Sequence, residues 1–286
     1  MSDTRKSIVI TGVSSGIGLG CAAEFIKRGY QIFGSVRKQE DAGRVQGLLG
    51  ASFVPLIFDV TDEVGILAAV QVVEAHLNGA GLSGLINNSG IAEGGPLQHV
   101  GMDTLRRQFE VNVFGLLRVT QAFLPLLGAR EGHIGAPGKI MNVSSVAGKI
   151  AAPFLGLYAA SKHAVEALSH SLRRELMLYG IDVIIIGPGA VATEIWGKAE
   201  GMEIPFKGTA YYNSLLKLRD YAKKEGESGL TIEAIGKQMA DIFENPRAKT
   251  RYALLKGKFM KWTIPRLLPD RFVDRFIGKN FGLLKK

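Results

Sequence analysis

Cysteine is nearly absent from this chain: Cys21 stands alone among 286 residues. A single thiol excludes any disulfide within the chain, and a reducing, cytosol-facing compartment is the simplest expectation. Cys21 falls on the apolar side of the first helical pattern, which predicts a buried spacer rather than a reactive group. Long apolar runs are missing too. The longest clear one, Val183-Ile184-Ile185-Ile186, is the size of a strand, far from the ~20 residues that a membrane span needs. Only Met1 to Lys6 precede the strand-like Ser7-Ile8-Val9-Ile10, which leaves no room there for a signal peptide. The five histidines have no metal-ligand spacing, so no catalytic metal is expected.

Acidic residues are scarce in one region only. From Arg247 to Lys286 stand 12 Lys or Arg against Asp270 and Asp274, a net +10 within a whole-chain charge of +9. The first 246 residues therefore carry −1, and the basic excess belongs to the last forty. What the chain has in plenty is glycine, at 36 residues, beside an ordinary hydrophobic share of 47%. Strand-like segments at about 7–11, 31–36, 53–58, 82–87, 139–143, 181–186 and 250–255 alternate with helical patterns. The helical patterns lie at about 17–28, 39–49, 64–77, 102–127, 157–179 and 231–244. Leu85-Ile86 and Val183 to Ile186 are apolar without alternation, as parallel strands covered on both faces require. The expected fold is α/β: a doubly wound, Rossmann-like parallel sheet of about seven strands with helices on both faces.

The rhythm breaks at about 194–230, a segment holding Trp196, Met202, Phe206, Tyr211 and Tyr212. Inserts of that length are commonly lids or binding elements. A catalytic domain over 1–256 would include it, leaving 257–286 as a basic extension interleaved with apolar residues.

After the first strand comes Thr11-Gly12-Val13-Ser14-Ser15-Gly16-Ile17-Gly18. Gly12 suits a tight turn, Gly16 lets the backbone approach a pyrophosphate, and Gly18 lets helix pack on strand. The helix start that follows offers free N–H groups from Ser14, Ser15, Gly16 and Ile17 onward. The spacing Gly-x3-Gly-x-Gly differs from the commoner dinucleotide fingerprint, but its place on the first strand points to the same ligand. The second strand ends in Arg37-Lys38 with no acid. A guanidinium can grip a 2′-phosphate, so NADP(H) is expected in preference to NAD(H). Asp59-Val60 offers a carboxylate to an adenine amine, or alternatively a cap for the next helix. Asn87, Asn88, Ser89 and Gly90 end the fourth strand, where amides can tie strand ends and Gly90 leaves room for cofactor.

Tyr158 and Lys162 stand four apart in a helical pattern and so share a face. An ammonium there would favour phenolate and bring the tyrosine toward neutral-pH acid/base work. The same spacing also occurs on solvated helices, so the neighbouring motifs decide. In order, Thr11 to Gly18, Asp59-Val60, Asn87 to Gly90, Asn112, Ser145, Tyr158-x3-Lys162 and Pro188-Gly189 make the chain resemble the short-chain dehydrogenase/reductase family from about Ser7 to Leu255. Ser89 departs from the alanine more usual there.

The resemblance implies a catalytic set of Asn112, Ser145, Tyr158 and Lys162. Tyr158 would donate the proton to a substrate carbonyl as hydride arrives from the nicotinamide. Ser145 would hydrogen-bond the same oxygen, Lys162 would bond the nicotinamide ribose, and Asn112 would hold a water leading to solvent. Pro188, Gly189, Val191 and Thr193 would hold the carboxamide. Substrate walls would include Val146, Ile150, Phe154, Leu155, Ile195, Trp196 and Phe206, an apolar lining that favours a steroid, retinoid or lipid-like ketone or alcohol. A 3-oxoacyl-(acyl-carrier-protein) reductase and a non-catalytic NADP(H) sensor are the alternatives. A homo-oligomer, dimer or tetramer, through 102–127 and 157–179 is also implied. Trp262, Ile264, Leu267, Leu268, Phe272, Phe276, Ile277 and Phe281 interleave with cations in the tail. Two readings remain for it: peripheral membrane contact, or docking of the apolar residues on the body. No nucleic-acid module accompanies the charge.

Overall fold

The structure, a computed structural model, describes residues 6–192 and 206–285. Seven strands build one sheet: β1 (Ser7–Ile10), β2 (Gln31–Val36), β3 (Phe53–Ile57), β4 (Gly84–Asn87), β5 (Lys139–Val143), β6 (Asp182–Pro188) and β7 (Arg251–Leu254). Their order is β3-β2-β1-β4-β5-β6-β7, and every pair is parallel. β1 thus lies between β2 and β4, and the winding reverses there. In open parallel sheets that reversal opens a crevice at the strands' carboxyl ends.

The helices are α1 (Gly16–Lys27), α2 (Gln39–Leu49), α3 (Glu63–Leu77), α4 (Met102–Phe109), α5 (Leu116–Leu127) and α6 (Gly156–Glu175). Further along come α7 (Tyr212–Glu227), α8 (Ile232–Glu244) and α9 (Asp270–Phe281). Alternation in β1 sends Ile8 and Ile10 to one face, against Cys21, Phe25, Val45 and Met239 of α1, α2 and α8. Val9 goes to the other, with Val73, Phe123 and Leu172 of α3, α5 and α6. Because both faces are covered, Val183 to Ile186 carry no polar alternation and are buried throughout. Cys21 is a core residue whose sulfur lies 3.3 Å from that of Met239. Burial pushes its thiol up to about 12, which makes it inert at neutral pH.

Three stretches differ from the sequence expectation. The pattern at 102–127 is not one α-helix: Glu110–Gly115 is π-helical between α4 and α5. An i→i+5 turn adds a residue to the repeat and is used where a side chain must be re-aimed. The insert holds a regular helix, α7, over its second half. The extension is mostly ordered as well, with a π-helical turn Phe259–Thr263, a 3-10 turn Ile264–Arg266 and then α9. No helix among the described residues is long and apolar enough to cross a membrane.

Candidate active site

The glycine loop begins where β1 ends. Gly12 has φ +71, a backbone state that side-chain-bearing residues avoid. A Cβ on Gly18 would strike the Gly12 carbonyl. Gly12 N donates to Ser35 Oγ at 2.9 Å, and Asn88 Nδ2 donates to the carbonyls of Thr11 and Gly12 at 3.0 Å each. Thr11 Oγ1 accepts from the backbone N–H groups of Asn88 and Ser89, both at 2.9 Å. The ends of β1, β2 and β4 are therefore tied around the loop by side chains. α1 starts at Gly16 with no side-chain cap and no acid in its first turn. Its first N–H groups and positive dipole end suit an anionic pyrophosphate.

The residues expected beside a nucleotide divide into two groups. Arg37 and Lys38 stand exposed just past β2, with no side-chain partner among the described residues. Asp59 Oδ1 accepts from Thr61 N at 2.9 Å and Thr61 Oγ1 at 2.8 Å, so the carboxylate shapes the turn before α3. The N-cap of α3 is Asp62, so Asp59 orders the turn ahead of the helix and is not its cap. Val60 is buried. Asn87 is buried and its side-chain amide donates to Thr120 Oγ1 and Asn142 Oδ1 at 2.9 Å each, tying the end of β4 to α5 and β5. Arg44 of α2, unread in the sequence, donates to Ser14 O at 2.6 Å and Asp41 Oδ1 at 2.6 Å, bracing the glycine loop.

The second cluster lies beyond β4 and β5. Ser145 caps a 3-10 turn at Val146–Gly148, with its Oγ accepting from Ala147 N at 3.1 Å and donating to Pro188 O at 3.4 Å. The Ser145 side chain also acts on the Tyr158 phenol, favouring its ionised form. Ser144, by contrast, donates to Lys162 O at 3.3 Å and faces the helix. Lys162 is buried, its Nζ donating to Val143 O at 2.9 Å and lying 5.8 Å from the centre of the Tyr158 ring. Burial lowers the Lys162 ammonium to about 8. Burial also raises the Tyr158 phenol, with the Ser145 side chain opposing it. That differs from the expectation that the lysine would bring the phenol down. Lys162 gives one N–H to the Val143 carbonyl, and desolvation is the larger effect on the phenol and the one acting on the ammonium.

Asn112 sits in the π-helical turn and is buried. Its Oδ1 accepts from Ile91 N at 2.8 Å, and its Nδ2 donates to Ile91 O at 2.9 Å and Ser161 Oγ at 3.0 Å. The side chain is therefore fully used in fixing the strand-like segment after Gly90. A Cβ on Gly90 would sit 3.1 Å from Asn112 Oδ1 and 3.5 Å from Lys162 Nζ, so glycine lets these two side chains come close to the backbone there. Gln108 was not singled out in the sequence. It is fully buried, donates to Ile91 O at 2.5 Å and accepts from Glu93 N at 2.8 Å. Its spacing of four residues before Asn112 was the available signal.

On the substrate side Phe154 has φ +66 and is buried, its carbonyl accepting from Gly95 N at 2.7 Å. It packs edge-on to Tyr211 at 5.9 Å. Tyr211 reaches Gln98 Oε1 at 3.1 Å and packs on His99, two contacts without a sequence signal. Leu155 is partly exposed. Pro188 and Gly189 end β6, and Val191 bridges to Leu230. Thr193, Ile195, Trp196 and Met202 lie outside the described residues.

The family profile described as short chain dehydrogenase matches residues 6–203. The chain belongs to that family. This short-chain dehydrogenase is 42% identical over 276 residues to the NADPH-dependent 3-dehydrocapnine reductase of Ornithobacterium rhinotracheale, covering 96% of this chain and 97% of that protein. It is 35% identical over 195 residues to retinol dehydrogenase 16 of Mus musculus, covering 68% of this chain and 59% of that one. Among solved structures, a short-chain dehydrogenase from Streptomyces avermitilis superposes with a TM-score of 0.79 at 27% identity, covering 98% of both chains.

Proposed function

We propose that this enzyme is an NADP(H)-dependent reductase of hydrophobic, lipid-like ketones, with Tyr158 as the general acid. The observation that carries it is the junction of Tyr158, Ser145 and Lys162 beside Gly90, in a fold whose α1 starts without a side-chain cap after the glycine loop. The glycine loop and the free N–H groups of α1 fit a dinucleotide, and Arg37 is exposed for a 2′-phosphate. Bound NADPH would supply the two electrons that reduce a carbonyl carbon. The rest is done by the chain. Because burial raises the Tyr158 phenol, it keeps its proton at neutral pH, the form in which it can give that proton to a carbonyl oxygen. Ser145 Oγ would share that oxygen and stabilise charge as it develops. The Lys162 ammonium would favour the phenolate left behind. Asn112 and Gln108 would hold Ile91 beside Gly90. Thr193, Val191 and Gly189 are assigned to the carboxamide, and Trp196 with Leu155 to the substrate wall.

The lipid-like class rests on the apolar lining and on the names of the relatives at 42% and 35% identity. The test follows NADPH absorbance with 3-dehydrocapnine, retinal, a steroid ketone and a 3-oxoacyl thioester, with NADH in parallel. Turnover of the acyl thioester alone would favour the acyl-carrier reductase. Cofactor binding without turnover of any of them, and no change with Tyr158→Phe, would favour the sensor.

We also read the extension as a contact for an anionic lipid surface. On α9, Phe272 and Phe276 are 58% and 65% exposed, and Arg271, Arg275 and Lys279 line the adjoining stripe. Asp270 and Asp274 share the opposite side with Ile277, so the outward face is apolar and cationic. Co-sedimentation of the full chain with phosphatidylserine vesicles tests this, and binding equal to that with neutral vesicles removes it. A homo-oligomer would pair through α4–α5 and α6, where Phe114, Met177 and Leu178 are exposed. Sedimentation as a monomer at micromolar concentration would discard that pairing.

A further inference from the structure

Glu166 lies one turn after Lys162 on α6 and is almost wholly buried. A carboxylate in that position requires a partner. Its hydrogen-bonded partner is Arg251, at the start of the edge strand β7, whose Nε bonds Glu166 Oε1 at 3.1 Å and Oε2 at 2.9 Å, with Lys149 Nζ at 3.6 Å from Oε2 as a second, weaker ion pair. The same guanidinium donates through Nη2 to the Ser145 carbonyl at 3.3 Å. It reaches that far by crossing β6 at Gly187, where a Cβ would meet Nη2 at 2.6 Å. Ser145 O also accepts from Gly148 N at 3.1 Å, so the carbonyl is held from two sides.

The guanidinium is covered from outside by the C-terminal extension. Trp262 is buried, with its ring centre 4.3 Å from Arg251 Cζ and 4.6 Å from Arg266 Cζ. Two cations over one indole form a stack in which Arg251 is the inner layer. The stack itself is joined to α7 by the ion pair of Lys261 with Glu225. An exposed arginine on an edge strand samples many rotamers, and the indole removes most of that freedom.

We propose that Trp262 and Arg251 are positioning residues: the extension clamps Arg251, and Arg251 fixes the Ser145 backbone so that its hydroxyl meets Tyr158. This rests on the reading of Ser145 as the residue that polarises the substrate carbonyl. The basic extension is then a part of the active-site support.

The experiment uses the full chain with NADPH and the best ketone from the panel above. Trp262→Ala is expected to lower kcat about tenfold, as small misplacements of catalytic groups do. KM for NADPH should change less than kcat, because the Arg251 bond is made to the Ser145 carbonyl and not to the glycine loop. Trp262→Phe keeps a ring face and should recover most of the rate. Arg251→Lys keeps a charge for Glu166 but cannot hold two acceptors in a fork, and should resemble Trp262→Ala. A readout that needs no substrate is amide exchange over residues 144–150, which should quicken in Trp262→Ala and Arg251→Lys and recover in Trp262→Phe. Wild-type kcat and wild-type exchange in both variants would overturn the inference. So would faster exchange across the whole sheet with no recovery in Trp262→Phe, which would mark a general loss of stability. If Ser145→Ala keeps full activity, it is the reading of the site that fails instead.

Discussion

The body and the C-terminal extension are built from the same apolar side chains and place them oppositely. In β6, Val183 to Ile186 are at most 1% exposed, whereas Phe272 and Phe276 of α9 are 58% and 65% exposed. The reason is the number of layers. A central strand is covered on both faces by helices. Among the described residues α9 packs on α7, and the stripe of Val273, Ile277 and Phe281 is its less exposed side, with Phe281 edge-on to Tyr221 at 5.7 Å. The polar residues differ in the same sense. In the body Asn112, Gln108, Asn142 and Glu166 are buried and bonded, while Arg271, Arg275 and Lys279 of α9 face solvent. Burial makes a polar group costly unless its geometry is fixed, so buried polar positions are where chemistry can be held still. Exposed ones meet partners.

The largest effect that can break this contrast is at Tyr158. Tyr158→Phe removes the proton donor and should lower kcat by roughly 10² to 10⁴, the range for a general acid. A rate within a few-fold of wild type would remove Tyr158 from the chemistry. Next is the buried lysine. Its folded value of about 8 lies below the ordinary 10.5, so the unfolded chain binds the extra proton between those values. Stability contributed by Lys162 is therefore lowest below about pH 8 and rises as pH approaches 10.5. Relative to Lys162→Met, wild type should gain roughly 3 kcal/mol over that window, at ~1.4 kcal/mol per pKa unit. Urea unfolding of both proteins from pH 7.5 to about 10.5 reads it, and parallel curves would contradict the burial of the charge.

A smaller effect is expected at Arg37, which stands at the body's surface. Losing a charge-assisted bond to a 2′-phosphate should weaken NADPH binding by about 1.5–3 kcal/mol in Arg37→Ala, with NADH unaffected. Equal losses for both cofactors in calorimetry would separate Arg37 from the phosphate. The smallest belongs to the extension. Changing Phe272 and Phe276 to Ser should cut vesicle binding severalfold and leave kcat on a soluble ketone unchanged. A fall in kcat of the same size would show that the outward face of α9 serves the body instead.

Much of the fold was legible because parallel strands buried on both faces write themselves as short apolar runs. The strand segments around β2, β5 and β6 fall within about two residues of the observed bounds. α2 was read at its observed bounds. The π-helical turn was not legible, since Glu110 to Gly115 has the composition of an ordinary helix. Within it the Asn112 amide is bonded to Ile91, a contact across 21 residues that no local pattern announces. In the site, Tyr158 and Lys162 were readable from their spacing on one helix, and Ser145 only through the resemblance to the family. Arg44 and Arg251 were not, because their partners are fixed by strand order and not by sequence distance.

The sequence by itself determined the alternation of strands and helices, the glycine loop on β1, and the shared face of Tyr158 and Lys162. Each depends on periodicity or on backbone freedom, which are local properties. Only the tertiary structure decided that burial outweighs the lysine at Tyr158, that the Asn87 amide ties β4 to α5 and β5, and that Trp262 closes over Arg251. Desolvation and close packing depend on which distant segments meet, and the sheet order β3-β2-β1-β4-β5-β6-β7 is what brings them together.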